Sequence, residues 1–141
     1  MSASPKFQGS CMCGAVEYTV TGAPMMSVVC HCPSCQKVSG STYTHNIWCH
    51  KDQLAITKGA RGLKTFADKT TDSGKPFERS FCTACGNTLF GTPMVDPSIR
   101  TVSTGSLDAA SKANLPPTKE FYDHNKRAWL PKIPIAGEAK L

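Results

Sequence analysis

Short segments that alternate between apolar and polar residues dominate the pattern of this chain. Residues 16–20, Val-Glu-Tyr-Thr-Val, have the period of two that predicts a strand with one buried face. Residues 26–29 and 42–48 are rich in β-branched and aromatic side chains, which predicts two more strands. Gly, Pro, Asp and Asn turns separate six further strand candidates: 54–57, 63–66, 79–81, 88–90, 99–104 and 119–122.

Helical signals are scarce by comparison. Only residues 107–113 and 34–38 could form one or two helical turns, and segments this short do not organise a fold by themselves. The pattern contains no internal repeat, and 141 residues suit one compact domain, since domains mostly hold about 100–150 residues. We therefore predict a single mainly β domain of short antiparallel strands.

Composition and charge narrow the class of partner. The formal charge is +6, but the lysines are scattered and form no dense run with interleaved aromatic residues, so nucleic acid is not an expected partner. No apolar stretch approaches the roughly 20 residues that span a bilayer. Residues 1–6 also lack the apolar core of a signal peptide. We expect a cytoplasmic protein without membrane contact.

Eight cysteines carry the clearest chemical signal, because a reducing compartment favours clustered thiols as metal ligands over disulfides. Cys11 and Cys13 are two residues apart, so on an extended chain both sulfurs point to one face. Cys82 and Cys85 form a Cys-x-x-Cys turn followed by Gly86, which is typical of a zinc knuckle. Together they predict a closed, four-thiolate structural zinc site that ties the chain start to a distant strand.

A third cluster offers a different kind of site. Cys30, Cys32 and Cys35 supply three thiolates within six residues, with Pro33 setting the turn that returns Cys35. Three protein ligands leave the fourth position of a tetrahedral zinc open, which is typical of catalytic sites. The sequence therefore predicts two Zn²⁺ per chain, with the chemistry at the second. A thiolate-rich site of this kind suits the binding of a soft thiolate nucleophile.

Other ligands could change this assignment. Cys49 follows a predicted strand and is expected to be a buried small hydrophobe, but as a fourth ligand it would close the second site. His45 and His50 raise the same possibility. We expect His31 to hydrogen-bond or position the cluster without binding the metal itself. His124 is expected to be exposed or to cap a turn.

Isolated aromatic and acidic residues have ordinary structural explanations. Phe121 and Trp129 could line a ligand pocket, although single aromatic residues late in a β domain are more often core residues. Glu78 and Asp108 are expected to be surface or turn residues and not general bases.

Three motifs together resemble the glutathione-dependent formaldehyde-activating family. They are GSCMCG at 9–14, CHCPSCQKVSGS at 30–41 and FCTACG at 81–86, and the later segments 105–108 and 126–129 extend the likeness. The resemblance sets the expected limits: 1–8 as an N-terminal extension, 9–130 as the zinc domain and 131–141 as a C-terminal tail. The same domain resembles that of centromere protein V.

The resemblance implies a β-tent fold held by zinc knuckles, and the same division of cysteines into structural and catalytic sets. It implies that glutathione, a small-molecule thiol partner, adds through sulfur to formaldehyde and gives S-hydroxymethylglutathione reversibly, as a carbon–sulfur lyase. Basic residues near the motifs would bind the carboxylates of glutathione, and Lys37, Arg79 and Arg127 are the candidates.

Departures from the family pattern leave the substrate open. Glu120-Phe121 stands where the family commonly shows His-Ile, and Ala109-Ala110 replaces a common Asp-Pro. A related small aldehyde is one alternative substrate. Two other hypotheses remain: a non-catalytic zinc-stabilised module that binds nucleic acid or a protein partner, and a structural domain in which both zinc sites are closed. The oligomeric state is left open by the sequence.

Overall fold

A computed structural model describes residues 4–113 and 115–137, and short strands dominate this part of the chain. The strands are β1 (Lys6–Ser10), β2 (Glu17–Thr21), β3 (Met26–Cys30), β4 (Thr44–His50), β5 (Leu54–Lys58), β6 (Leu63–Asp68), β7 (Phe77–Cys82), β8 (Thr88–Pro93), β9 (Ile99–Ser103) and β10 (Lys119–Phe121). The helices are α1 (Pro33–Ser39) and α2 (Ala109–Lys112), and short 3-10 turns join several strands. No helix in the described residues is long and apolar enough to cross a bilayer.

The strands form two sheets. One has three strands in the order β1-β2-β5, and the other has seven in the order β10-β3-β4-β9-β8-β7-β6. This mainly β architecture confirms the predicted fold class, a single-domain β-tent. Strand β10 departs from the antiparallel prediction, because it pairs parallel to β3 with Phe121 beside Cys30. The long connection between the two strands allows this, since a parallel pair needs a crossover.

The predicted strands are all present, and strand β1 is the one that the sequence pattern missed. Its sequence, Lys-Phe-Gln-Gly-Ser, is mostly polar and gives no local strand signal. It is held by antiparallel pairing with β2 along its whole length, from Lys6 with Thr21 to Ser10 with Glu17. The strand begins three residues before the expected start of the zinc domain. Residues 131–137 carry no strand or helix, and the Ala136 N–H donates to the Pro117 carbonyl at 2.8 Å.

The core lies between the two sheets and follows from the alternation that the sequence shows. Tyr18 and Val20 of β2 point inward and are almost fully buried, with the Tyr18 ring edge-on to Phe90 at 4.8 Å between centroids. The seven-stranded sheet contributes Ile47, Cys49, Leu89 and Val102 to the same cluster. Burying these side chains provides the main apolar stabilisation of the domain.

The opposite face of the seven-stranded sheet carries the residues of a cleft. Ladder partners align in rows across it: Val28 beside Asn46 and Ser103, and Trp48 beside Thr101, then Gly91 and Arg79. Because successive strand residues point to opposite faces, these side chains are separated from the core residues between them. A β-carbon at Gly91 would collide with the Phe77 ring and the Thr101 hydroxyl, so only glycine lets Phe77 lie across this face.

We predict that Gly91→Ala destabilises the protein by about 1–3 kcal/mol, because the added methyl group overpacks this contact. Gly105→Ala is the matched control, since a β-carbon there meets open space. Thermal unfolding followed by circular dichroism measures both. Equal melting temperatures for the two variants would contradict the packing at Gly91.

Candidate metal centres and reactive cleft

The structure brings the sulfurs of Cys11, Cys13, Cys82 and Cys85 together, all within 4.8 Å of one another. The Cys11 and Cys13 sulfurs are 3.6 Å apart, and those of Cys13 and Cys82 are 3.8 Å apart. Four sulfurs arranged tetrahedrally about 2.3 Å from a zinc ion would be separated by about 3.8 Å. The residues present therefore fit a four-thiolate zinc ion.

Local backbone structure positions this first cluster. Gly14 and Gly86 both adopt left-handed backbone, with φ of 76° and 75°, which costs other residues steric strain. The Gly14 N–H donates to the Cys11 carbonyl at 3.1 Å, and the Gly86 N–H donates to the Cys82 carbonyl at 2.7 Å. Each glycine thereby closes the tight turn that points a pair of sulfurs inward.

Hydrogen bonds also distribute charge within the first cluster. Burial raises the pKa of the Cys11 thiol, but the Val16 N–H and neighbouring thiols donate to its sulfur and lower the pKa to about 6. The pKa of Cys85 is also lowered, chiefly by the Asn87 N–H. The Ala15 N–H lowers the pKa of Cys13, but hydrogen bonds with the neighbouring thiols outweigh it and raise the pKa to about 11. The environment therefore favours the thiolate, the form that binds metal, at Cys11 and Cys85.

The second cluster, Cys30, Cys32 and Cys35, also has its sulfurs within 4.8 Å of one another. Cys30 ends β3, and Cys32 is the N-cap of α1, where its sulfur accepts from the Cys35 N–H at 3.3 Å. Pro33 occupies the first helical turn, where its missing N–H costs nothing. The strand end and the helix start thus bring three thiols to one point.

Hydrogen bonding within the second cluster favours the thiolate form of Cys32. Hydrogen bonds from the Cys30 and Cys35 thiols, together with the positive charge of Arg79, lower the pKa of Cys32 to about 2. The hydrogen bond with Cys32 raises the pKa of Cys30. Soft thiolate donors of this kind suit Zn²⁺, so the chemistry of this donor set also fits a zinc ion.

Neither Cys49 nor a histidine joins the second cluster in the part of the chain that the structure describes. Cys49 points into the core with no exposed surface, and burial raises its pKa to about 11. Both nitrogens of His45 are engaged, by the Ser27 hydroxyl at 2.6 Å and the Thr104 hydroxyl at 2.8 Å. His50 caps a 3-10 turn by accepting from the Asp52 N–H at 3.2 Å. His124 is exposed, as expected.

His31 lies between two candidate ligands and points away from them. Its ring is fully buried, and Nε2 lies 2.8 Å from a carboxylate oxygen of Glu120. The His31 N–H donates to the Phe121 carbonyl at 3.0 Å. The residue therefore ties the cluster to β10, which agrees with the expected positioning role. Glu120 is its partner.

A cleft of about 650 Å³ lies beside the second cluster. Its walls near the sulfurs are apolar and include Val28, Trp48 and Phe121, with the last two rings edge-to-face at 5.8 Å. Hydroxyl and amide groups of Thr44, Asn46, Thr101 and Ser103 line the middle. Apart from cysteines and a tyrosine, the described lining residues that can carry charge are Arg79 and Asp72.

Arg79 is held rigidly at this cleft. Its guanidinium donates to one carboxylate oxygen of Asp68 at 3.0 and 3.1 Å and lies 4.7 Å from the centre of the Phe77 ring. The Thr70 N–H and hydroxyl donate to the other Asp68 oxygen at 2.9 and 2.6 Å. Burial raises the pKa of Asp68, but Thr70 and Arg79 outweigh it and lower the pKa below its usual value.

The other basic candidates lie outside the cleft lining. Lys37 is exposed on α1, and Arg127 is exposed and donates to the Gln36 side chain at 3.0 Å. Of the three predicted carboxylate-binding residues, the structure places only Arg79 in the cleft wall.

The isolated aromatic and acidic residues that the sequence analysis singled out agree with its predictions only in part. Phe121 packs against Trp48 and lines the cleft. Trp129 was expected in the core and is 70% exposed, because it follows the edge strand β10 and no sheet covers it. Asp108 caps α2 by accepting from the Ser111 N–H at 2.7 Å, and Glu78 lies on β7 outside the cleft lining. Neither is placed as a general base.

Sequence reasoning missed Tyr122 and the loop after β6. Tyr122 lines the cleft and packs against the second cluster, but it stands 87 or more positions from the cysteines of that cluster. Thr70 of the loop meets Ser34 of α1, with their hydroxyl oxygens 3.0 Å apart. The register of β10 places Tyr122, and the contact with α1 places Thr70, so no local sequence pattern reports either residue.

We predict that Cys82→Ser lowers the melting temperature of the zinc-loaded protein by more than about 10 °C, since loss of a structural zinc removes several kcal/mol of stability. Cys49→Ser is the matched control, because Cys49 is equally buried in the same core cluster. Cys32→Ser should leave the melting temperature nearly unchanged and lose the second zinc.

Zinc content by mass spectrometry and thermal unfolding measure these outcomes together. If Cys82→Ser and Cys49→Ser are equally unstable with equal zinc content, the first cluster is not a structural metal centre.

Comparison with known proteins identifies a named relative and a solved structure with the same fold. A protein of Halomonas elongata named "Putative glutathione-dependent formaldehyde-activating enzyme" is 32% identical over 85 residues, which cover 59% of this chain and 54% of that protein. The chain thus spans about half the length of that curated relative. A crystal structure of a Rhodobacter sphaeroides protein shares the fold with a TM-score of 0.61 at 20% identity, over 80% of this chain and 98% of that one.

The family match covers most of the chain. The sequence profile of the glutathione-dependent formaldehyde-activating enzymes matches residues 6–125, from β1 through β10 and beyond. Both cysteine clusters and the cleft between them lie within this range. The chain therefore belongs to the glutathione-dependent formaldehyde-activating family.

Proposed function

We propose that the protein catalyses the reversible addition of glutathione to formaldehyde at the cleft beside Cys30, Cys32 and Cys35, as a carbon–sulfur lyase. One observation carries the proposal. Three sulfurs converge at the wall of a cleft, and no fourth cysteine or histidine among the described residues joins them. The family name of the chain and of its Halomonas elongata relative supports the choice of thiol and aldehyde.

Cys30, Cys32 and Cys35 would hold a zinc ion that, when bound, supplies an open position for a thiolate. The reaction is an addition in which every atom of the thiol and the aldehyde is retained in the product. The sulfur lone pair attacks the aldehyde carbon, a carbon–sulfur bond forms and the carbonyl π bond breaks. The proton of the thiol ends on the oxygen, so no oxidant or other reactant is needed. Holding both reactants in one cleft removes much of the entropic barrier.

The remaining cleft residues suit a peptide-like thiol. Arg79 is the one described cation in the lining, and its planar guanidinium can bind a carboxylate with two donors. The side chains of Thr44, Asn46, Thr101 and Ser103 lie between Arg79 and the sulfurs on the same sheet face. Neutral donors and acceptors of this kind match the amide groups of glutathione. We assign one carboxylate to Arg79 and the amides to this polar row.

The first cluster has a structural role in this proposal. Cys11, Cys13, Cys82 and Cys85 would hold a closed zinc ion that fixes the neighbouring cleft rim. Met12 and Asn87 belong to that rim, and the Met12 N–H donates to the Asn87 side-chain oxygen at 3.0 Å. The ion would therefore join residues more than 60 positions apart and hold one side of the cleft in place.

We expect the zinc-loaded protein to accelerate exchange between glutathione and S-hydroxymethylglutathione, measured by NMR exchange spectroscopy. Cys32→Ser should lose at least about 100-fold of that acceleration, because removal of a residue essential to a catalytic unit costs most of its effect. Cys49→Ala, a buried cysteine outside the cluster, should retain it. Failure of the wild-type protein to accelerate exchange would reject the enzyme and favour a binding module.

We also expect the double variant Arg79→Gln, Asp68→Asn to raise KM for glutathione about 10- to 100-fold with little change in kcat. Hydrogen bonds to charged groups contribute about 1.5–3 kcal/mol. The second substitution avoids leaving the buried Asp68 charge unpaired. Lys37→Gln is the control and should have no effect.

A thiol that has no carboxylate distinguishes the loss of carboxylate binding at Arg79 from general damage to the site. The KM for 2-mercaptoethanol should be equal in the wild type and the double variant. Parallel losses with both thiols would show that Arg79 does not bind a carboxylate.

A further inference from the structure

Tyr122 has the most unusual backbone of any cleft residue. Its φ of 56° and ψ of 42° lie in the left-handed region, and it is the one described non-glycine residue with a positive φ. A bulky residue in this conformation costs of order 1–2 kcal/mol, so surrounding contacts must hold it there. Strained backbone positions of this kind cluster at functional sites, so the contacts of the Tyr122 side chain are of functional interest.

Contacts on both sides of Tyr122 hold this backbone. The preceding residue, Phe121, accepts from the His31 N–H at 3.0 Å and pairs with Cys30 in the parallel ladder. Glu120 is bound to the His31 ring at 2.8 Å. On the other side, the Tyr122 carbonyl accepts from the Asn125 N–H at 3.0 Å. The segment that presents Tyr122 is therefore fastened directly to the segment that carries the cysteines.

Tyr122 lies at the end of the cleft that carries the second cluster. The side chain packs against the cluster formed by Val28, Cys30 and Cys35 and lines the cavity. A tyrosine phenol is protonated at neutral pH and acts there as a hydrogen-bonding group.

The Tyr122 hydroxyl also has no hydrogen-bond partner among the described residues, whereas two hydroxyl groups of the cleft wall are engaged. The Thr44 hydroxyl accepts from the Asn46 side-chain amide at 3.1 Å. The Ser34 hydroxyl lies 3.0 Å from that of Thr70. Tyr122 is thus a free donor on the cleft wall beside the cluster.

We infer that the Tyr122 hydroxyl donates a hydrogen bond to the aldehyde oxygen. This inference rests on the proposed function. As the carbon–sulfur bond forms, the carbonyl π electrons move to the oxygen, and a donor aimed at that oxygen stabilises the developing negative charge. In the reverse direction the adduct hydroxyl loses its proton, which ends on the departing sulfur, and the same donor stabilises the alkoxide as the carbonyl π bond forms and the carbon–sulfur bond breaks. The left-handed backbone at Tyr122 then serves to place the donor on the cleft wall beside the cysteines.

The test compares Tyr122→Phe with Tyr43→Phe in the zinc-loaded protein. Tyr43 packs its ring against His31 at 5.6 Å but lies outside the cleft lining, so it controls for loss of a nearby phenol. Removal of one oxyanion donor costs about 10²- to 10³-fold in kcat. We expect Tyr122→Phe to lower kcat for the glutathione and formaldehyde reaction by about 100-fold, and Tyr43→Phe to leave it unchanged.

Calorimetric binding of glutathione alone provides a second measurement. Glutathione contains no aldehyde oxygen, so its Kd, the zinc content and the melting temperature should be equal in the wild type and Tyr122→Phe. An unchanged kcat overturns the inference about Tyr122. A parallel loss of kcat, glutathione binding and zinc overturns it as well, because the residue would then act on structure. If the wild type accelerates nothing, the proposed function fails and this inference fails with it.

Discussion

Strand β4 separates the core of the protein from its cleft, and most other features depend on that division. Ile47 and Cys49 point into the core, whereas Asn46 and Trp48 between them face the cleft. A shift of one residue in register would exchange the two sets. Five ladder pairs with β3 and five with β9 fix the register. The same alternation keeps the Cys49 thiol away from Cys30, Cys32 and Cys35, so the second cluster retains three sulfurs.

The cleft contains few charged groups besides its cysteines. The chain has a formal charge of +6, but the described cleft lining contains a single cation, Arg79, whose charge is balanced by the buried Asp68, and one carboxylate, Asp72. Arg79 lies on β7 and Cys30 on β3, with the neutral side chains of β4 and β9 on the strands between them. The surface charge of the protein is therefore a poor guide to its site.

The segments 30–35 and 119–122 act as one unit. The parallel ladder, the His31–Glu120 contact and the left-handed backbone of Tyr122 connect the cysteines to β10. Glu120 gains an explanation from this arrangement, because its carboxylate meets a histidine ring that has no exposed surface. The other ring nitrogen, Nδ1, has no partner among the described residues, so without Glu120 both nitrogens would be buried and unpaired. Each such group costs about 1–3 kcal/mol.

The sequence by itself determined the mainly β class, nine of the strands and the three cysteine motifs, because alternation and ligand spacing are local properties of the chain. It could not decide whether Cys49 or His45 would join the second cluster, since strand register and hydrogen bonding settle that. It could not find β1, whose polar residues are ordered only by pairing with β2. The sequence also could not show that Arg79 lies in the cleft wall while Lys37 and Arg127 lie outside it. It gave no sign that Tyr122 packs beside Cys30. Those positions depend on contacts between residues far apart in the chain, and only the tertiary structure decided them.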